Sequence, residues 1–148
     1  MVEFQRILIP VSGTDADEQA VRLAAGLVKR NKGKIWVVYV ITVKRAMPVE
    51  AEIEQEIQSG EAILDHMETI AEDEGIEIET DLLQARDVGP AIVDEAVELD
   101  ADLILMGITY KRRFGQFTIG NVVPYVFKNA TCRVILYHQH TPANEATE

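Results

Sequence analysis

A single cysteine, Cys132, stands among 148 residues, so no internal disulfide can form. At the predicted start of a strand it reads as a buried, inert thiol. Three histidines beside it fall short of the ligand set that a dedicated transition-metal site needs. No apolar run approaches the roughly 20 residues of a membrane span, and Met-Val-Glu-Phe-Gln-Arg runs straight into a strand without the layout of a signal peptide. Positive charge is scarce, with 14 Lys and Arg against 25 Asp and Glu and a formal net charge of −11. Nucleic acid and anionic membrane both require a basic face, so neither is an expected partner. The cytoplasm is the expected compartment. No spacing of Ser, His and acid suggests a catalytic triad.

What is present is an ordinary globular composition, 47% hydrophobic and 26% charged, in a chain long enough for one domain with a full core. Strand and helix patterns alternate. Ile7–Val11 is a buried strand, and Asp15–Arg30 is a helix with Ala20, Leu23, Ala24, Leu27 and Val28 on one stripe. Lys34–Val43 is a continuous apolar strand of the kind buried on both faces of a parallel sheet. A long helix over Val49–Glu74 has its apolar seam at Ile53, Ile57, Gly60, Leu64, Met67 and Ala71. A strand over Ile76–Gln84 follows. Gly89-Pro90 then opens a helix whose stripe is Ile92, Val93, Ala96 and Val97. Leu103–Met106 is the fourth strand, Asn121 caps a last helix with Pro124 in its first turn, and Arg133–Tyr137 is the fifth strand. Trp36 is expected between sheet and helices, and His66, in the acidic helix, solvated or half-buried rather than functional. Five strands and four helices in this order predict a doubly wound α/β domain with a parallel sheet and right-handed crossovers. Ligands of such sheets bind beyond the carboxyl ends of the strands, where strand order reverses.

Two features point to that edge. Asp102-Leu-Ile-Leu-Met-Gly107 is a strand that stops at a glycine. A basic loop follows, and Gly120-Asn121-Val122-Val123 opens a helix. Glycines let backbone approach an anion, and a helix N-terminus offers unpaired N–H groups. The charge distribution agrees. Between Ala46 and Ala85 there are 13 of the 25 acids and no Lys or Arg, yet Lys44, Arg45, Arg86, Lys111, Arg112 and Arg113, six of the 14 cations, follow strands two, three and four. A basic rim on an acidic protein focuses an anion there. Asp15 and Asp17, at the start of the first helix, read as acids that match its dipole.

The chain resembles the universal stress protein family over nearly its whole length. The resemblance is carried by Ile7-Leu-Ile-Pro-Val-Ser-Gly-Thr14, by Asp87-Val-Gly-Pro-Ala-Ile-Val-Asp-Glu-Ala96, by Ala101–Gly107, and by Gly120-Asn-Val-Val with Ala130-Thr-Cys-Arg-Val-Ile135. It implies the strand order 3-2-1-4-5, the adenine-nucleotide α-hydrolase-like fold, a family domain over residues 1–140 and a loose tail at 141–148. ATP-binding members carry glycine, two residues, glycine, nine residues, then glycine with Ser or Thr. Here the first and third glycines are Gly107 and Gly120, the second position is Tyr110, and the Ser/Thr position is Asn121. Where the family's first strand usually ends in aspartate, this chain has Ser12.

The ligand that the resemblance implies is ATP, ADP or AMP, with Mg²⁺ as a possible companion. Gly107, Gly120, Asn121 and Val122 would hold the phosphates through main-chain amides, Ser12, Gly13 and Thr14 would line the nucleoside side, and the backbone near Val40 and Ile41 would meet the adenine. Pro10, Val11, Met106, Thr109, Tyr110, Arg112 and Val123 are the further expected ligand-binding residues. Ser12 can bond a hydroxyl but lacks a carboxylate's charge. Tyr110 either obstructs the phosphate, folds away, or lays its ring on the ligand. The resemblance also implies a homodimer formed through the last strand. No general base and no acidic Mg²⁺ site of the kinase type stands out, so the expected role is regulatory binding with at most slow hydrolysis. The alternative is a dimeric interaction module whose degenerate site binds no nucleotide.

Overall fold

The computed structural model describes residues 3–48, 53–108, 111–113, 116–118 and 121–138, with backbone alone for 111–113 and 116–118. Among the described residues seven strands and four helices follow one another as β1 (Arg6–Val11), α1 (Asp15–Val28), β2 (Lys34–Thr42), α2 (Glu54–Asp73), β3 (Glu79–Ala85), α3 (Val88–Glu98), β4 (Leu103–Ile108), β5 (Lys111–Arg113), β6 (Gln116–Thr118), α4 (Val122–Asn129) and β7 (Arg133–His138). Five of the strands form one parallel sheet in the order β3-β2-β1-β4-β7. This is the order 3-2-1-4-5 that the family resemblance implies.

The apolar runs of β1, β2 and β4 explain the sheet's centre. Side chains alternate between faces along a strand, and here both faces are dry. Ile7 and Ile9 join one core with Val21, Val28, Leu64 and Met67 beneath α1 and α2. Leu8 joins the other with Trp36, Val38, Ile92 and Val126 beneath α3 and α4. Trp36 is buried as expected. Its indole Nε1 donates to Glu79 Oε2 at 2.7 Å, and the Arg6 guanidinium lies 4.7 Å from the ring centroid.

The structure revises several boundaries. Helix α2 begins at Glu54 rather than Val49, although Gly60, Leu64, Met67 and Ala71 are buried on its underside; residues 49–52 lie outside the described set. Strand β3 begins at Glu79 rather than Ile76. Val97 is 59% exposed, because α3 meets the sheet through Ile92 and Ala96 alone among its fully buried apolar side chains. The stretch read as a loop after β4 contains a short antiparallel pair, in which Lys111 faces Thr118 and Arg113 faces Gln116. Alternation over three residues is too short a pattern to signal a strand. The tail at 141–148 lies outside the described residues. Among those described, no helix is long and apolar enough to cross a membrane.

Burial sets the expected cost of core truncation. Leu105 is fully buried at the centre of β4, so Leu105→Ala should lower unfolding free energy by about 2–5 kcal/mol. Val97→Ala should change it by less than about 0.5 kcal/mol. Urea unfolding of the two variants reads both values, and a comparable loss for Val97→Ala would contradict the placement of α3.

Candidate nucleotide site

Strand order reverses between β1 and β4, and the carboxyl ends of β1, β2 and β4 open into a crevice there. A cavity of about 300 Å³ is lined by Pro10, Val11 and Ser12 of the β1 end and by Tyr39 and Val40 of β2. Met106, Gly107 and Ile108 of β4 form another side, and Val88, Ile92, Val122 and Val123 of α3 and α4 complete it. The lining is mostly apolar, as small-molecule sites are, and the volume lies at the small end of their range.

Gly107 is required by packing. A Cβ there would collide with the carbonyl oxygen of Ala16, and would stand 2.8 Å from its carbonyl carbon. The missing side chain lets the first turn of α1 close against β4. It also leaves backbone as one wall of the crevice.

Between β1 and α1 the chain turns through Gly13, whose φ of +94° favours glycine. This turn is held from below by Asp17, which is 1% exposed. One of its oxygens, Oδ2, accepts from the backbone N–H of Ser12 at 3.0 Å, Gly13 at 2.6 Å and Thr14 at 2.9 Å. Three successive amides converging on one point form the concavity that binds an anion elsewhere. Here an internal carboxylate fills it. The expectation of dipole matching captured only part of this role. Asp17 Oδ1 is buried without a hydrogen-bond partner. Burial raises the carboxyl's pKa above the usual range, and the three amides offset this only in part.

Of the residues singled out from sequence, Pro10, Val11, Ser12, Val40, Met106, Gly107, Val122 and Val123 line this one cavity. Gly13 and Thr14 line a neighbouring cavity of about 250 Å³ that faces Ile63 and His66 of α2. Ile41 is buried. Asn121 occupies the N-cap position of α4, but its side chain makes no capping bond and its backbone is helical (φ −103°, ψ −11°). Arg112 lies in β5. Thr109, Tyr110 and Gly120 fall outside the described residues. Tyr39, Val88, Ile92 and Ile108 also line the cavity and were not anticipated. Ile92 reads as core from its helical stripe and is buried; only the packing of α3 over β2 and β3 brings it to the wall of the crevice. Cys132 is half-buried, and burial together with the Asp102 charge pushes its thiol pKa up, as suits an inert thiol.

A doubly wound parallel sheet, with its cavity at the reversal point and glycine-opened backbone beside a helix N-terminus, defines the class of α/β domains that bind ligands at a topological switch point. The sequence model described as the universal stress protein family matches residues 3–138. The chain belongs to the universal stress protein family. It is 30% identical to a universal stress protein of Methanocaldococcus jannaschii over 139 residues, spanning 90% of this chain and 81% of that one. A solved universal stress protein from Archaeoglobus fulgidus superposes with a TM-score of 0.72 at 27% identity, covering 89% of this chain and 97% of that chain. The A. fulgidus protein in complex with dAMP superposes with a TM-score of 0.71, also at 27% identity, covering 91% and 98%.

The buried carboxylate gives a signed expectation. A raised pKa means that the folded chain keeps this proton to higher pH than the unfolded chain. Between the two values stability therefore falls as pH rises. Asp17→Asn keeps an acceptor for the amides and removes the titration. We expect the stability of wild type relative to Asp17→Asn to decline as pH climbs above the ordinary aspartate range, read by urea unfolding across pH. A difference that stays flat would show that Asp17 does not titrate with folding. Asp17→Ala, which strips all three amides of their acceptor, should cost about 1–3 kcal/mol.

Proposed function

We propose that this protein is a cytoplasmic regulator that binds an adenine nucleotide at the β1/β4 crevice, acts as a homodimer, and does not turn its ligand over rapidly. The observation that carries this reading is the single cavity that gathers the ends of β1, β2 and β4 and the start of α4, with backbone exposed at Gly107. The nucleoside would lie among Pro10, Val11, Ser12 and Val40. The phosphates would meet main-chain amides at Asn121 and Val122, where the dipole of α4 favours negative charge. Thr109, Tyr110, Arg112 and Gly120 would complete that end. The A. fulgidus complex with dAMP supports an adenine nucleotide as the ligand of this fold. Binding would stabilise the native state and so act as a switch on its population.

The homodimer reading rests on the sheet edge. Strand β7 is terminal in the sheet, and Val134, Ile135, Leu136 and Tyr137 along it are only half-buried. An apolar edge strand is a template for pairing with a second chain.

Calorimetry on the purified chain should show saturable binding of adenosine phosphates. Heat-denatured protein should release nucleotide absorbing near ~260 nm if the ligand travels with the native state. No affinity for ATP, ADP or AMP at millimolar concentration would favour the interaction module without nucleotide. Sedimentation should read a dimer for wild type and a monomer for Tyr137→Lys, since a charge on the edge strand opposes pairing. A Tyr137→Lys protein that remains dimeric would place the interface elsewhere.

A further inference from the structure

Val88 and Val122, which wall the 300 Å³ crevice, also line a second cavity of about 410 Å³. This one reaches Thr42 at the end of β2, Arg86 between β3 and α3, and Asn121 at the head of α4. The two spaces share a wall and lie on the same edge of the sheet.

The second space has the chemistry of an anion seat. Arg86 donates from Nη1 to the carbonyl of Lys44, which ties the β2 and β3 loops together. A carbonyl does not neutralise a guanidinium, and among the described residues no carboxylate forms an ion pair with Arg86. Arg22, by contrast, is paired with both Glu18 and Glu74. Among the described residues two half-buried arginines, Arg6 and Arg86, donate only to backbone carbonyls; Arg6 lies on the Trp36 ring, whereas Arg86 lines this cavity. Its remaining N–H donors form a planar fork suited to phosphate oxygens. The Asn121 side chain, released from capping, adds an amide on the opposite wall. Asp87 also lines the space, as an exposed carboxylate that makes no capping bond to α3.

We propose that this second cavity seats the phosphate chain of the nucleotide beyond its first phosphate. Arg86 is then the specificity-determining residue that favours nucleoside di- and triphosphates over the monophosphate. The inference rests on the adenine-nucleotide reading above and adds the seat and the residue that sets phosphate number.

Calorimetry with adenosine, AMP, ADP, ATP and pyrophosphate alone, on wild type, Arg86→Ala and Arg86→Lys, tests it. Wild type should bind ADP and ATP at least about tenfold more tightly than AMP, the scale of one charge-assisted phosphate contact. Arg86→Ala should remove about tenfold from ADP and ATP and leave adenosine and AMP within about twofold. Arg86→Lys should recover part of the loss, because it keeps the charge without the fork. Unchanged ATP affinity in Arg86→Ala overturns the inference, as does a parallel loss for adenosine, which would make Arg86 merely structural. Pyrophosphate binding wild type as tightly as ADP overturns it too, in favour of a free-anion site. Adenosine and AMP binding without any gain from further phosphates defeats this inference and spares the nucleotide reading, whereas no binding by any of the four defeats both.

Discussion

Among the described glycines, the one with least room for a side chain is Gly107, packed on the first turn of α1. There is no room for a single carbon between the end of β4 and the Ala16 carbonyl. Helix α1 therefore lies against a strand that is its neighbour only through the sheet, since β4 pairs with β1 through Ile7–Leu103 and Leu8–Ile104. With α1 fixed there, the turn from Ser12 to Thr14 has little freedom, and the crevice acquires a backbone wall. Interiors packed to crystal density transmit such a contact without slack. The shape of the candidate site follows from this packing as much as from any ligand.

Asp17 shows how the same corner is held electrostatically. A carboxylate beneath a nest of three amides supplies the anion that the turn's geometry invites. Its second oxygen receives no bond, and burying an unpaired polar atom costs free energy. The turn's amides are thereby committed to the protein. The anion seat we propose lies instead on the other side of the crevice, where Arg86 and the head of α4 stand. The acidic α2, with no basic residue in its first or last turn, keeps the opposite flank negative, which sharpens the contrast at that edge.

Much of the fold was legible in the residues. The apolar runs of β1, β2 and β4 could only be central strands, because both faces of each had to be buried. Pro90 and Pro124 fell within first turns, where a missing N–H is tolerated. Errors arose where local pattern and tertiary contact part company. Val97 lies on the apolar stripe of α3, yet no element covers it. Asn121 has the residue type of a cap and occupies the cap position, but its backbone is already helical and its side chain makes no capping bond. The short β5–β6 pair carried no periodicity long enough to read. Within the crevice, Gly107 and Val122 were visible because a glycine and a helix start mark themselves, and Ser12 because the family likeness marks the end of the first strand. Tyr39, Val88 and Ile92 were not, since a residue that packs the core on one side and lines a crevice on the other looks like core in one dimension.

By itself the sequence determined the layered α/β architecture, the strand order once the family likeness was noticed, and the edge of the sheet where anions would be drawn. Alternation, propensity and charge are local properties, and they are written residue by residue. Only the tertiary structure decided that Asp17 closes the first turn from within, that Gly107 is a glycine for the sake of Ala16, and that Arg86, without an ion pair among the described residues, lines a second cavity. Each of these depends on the distance between segments far apart in the chain, which is fixed when α1 and α3 settle on opposite faces of the sheet.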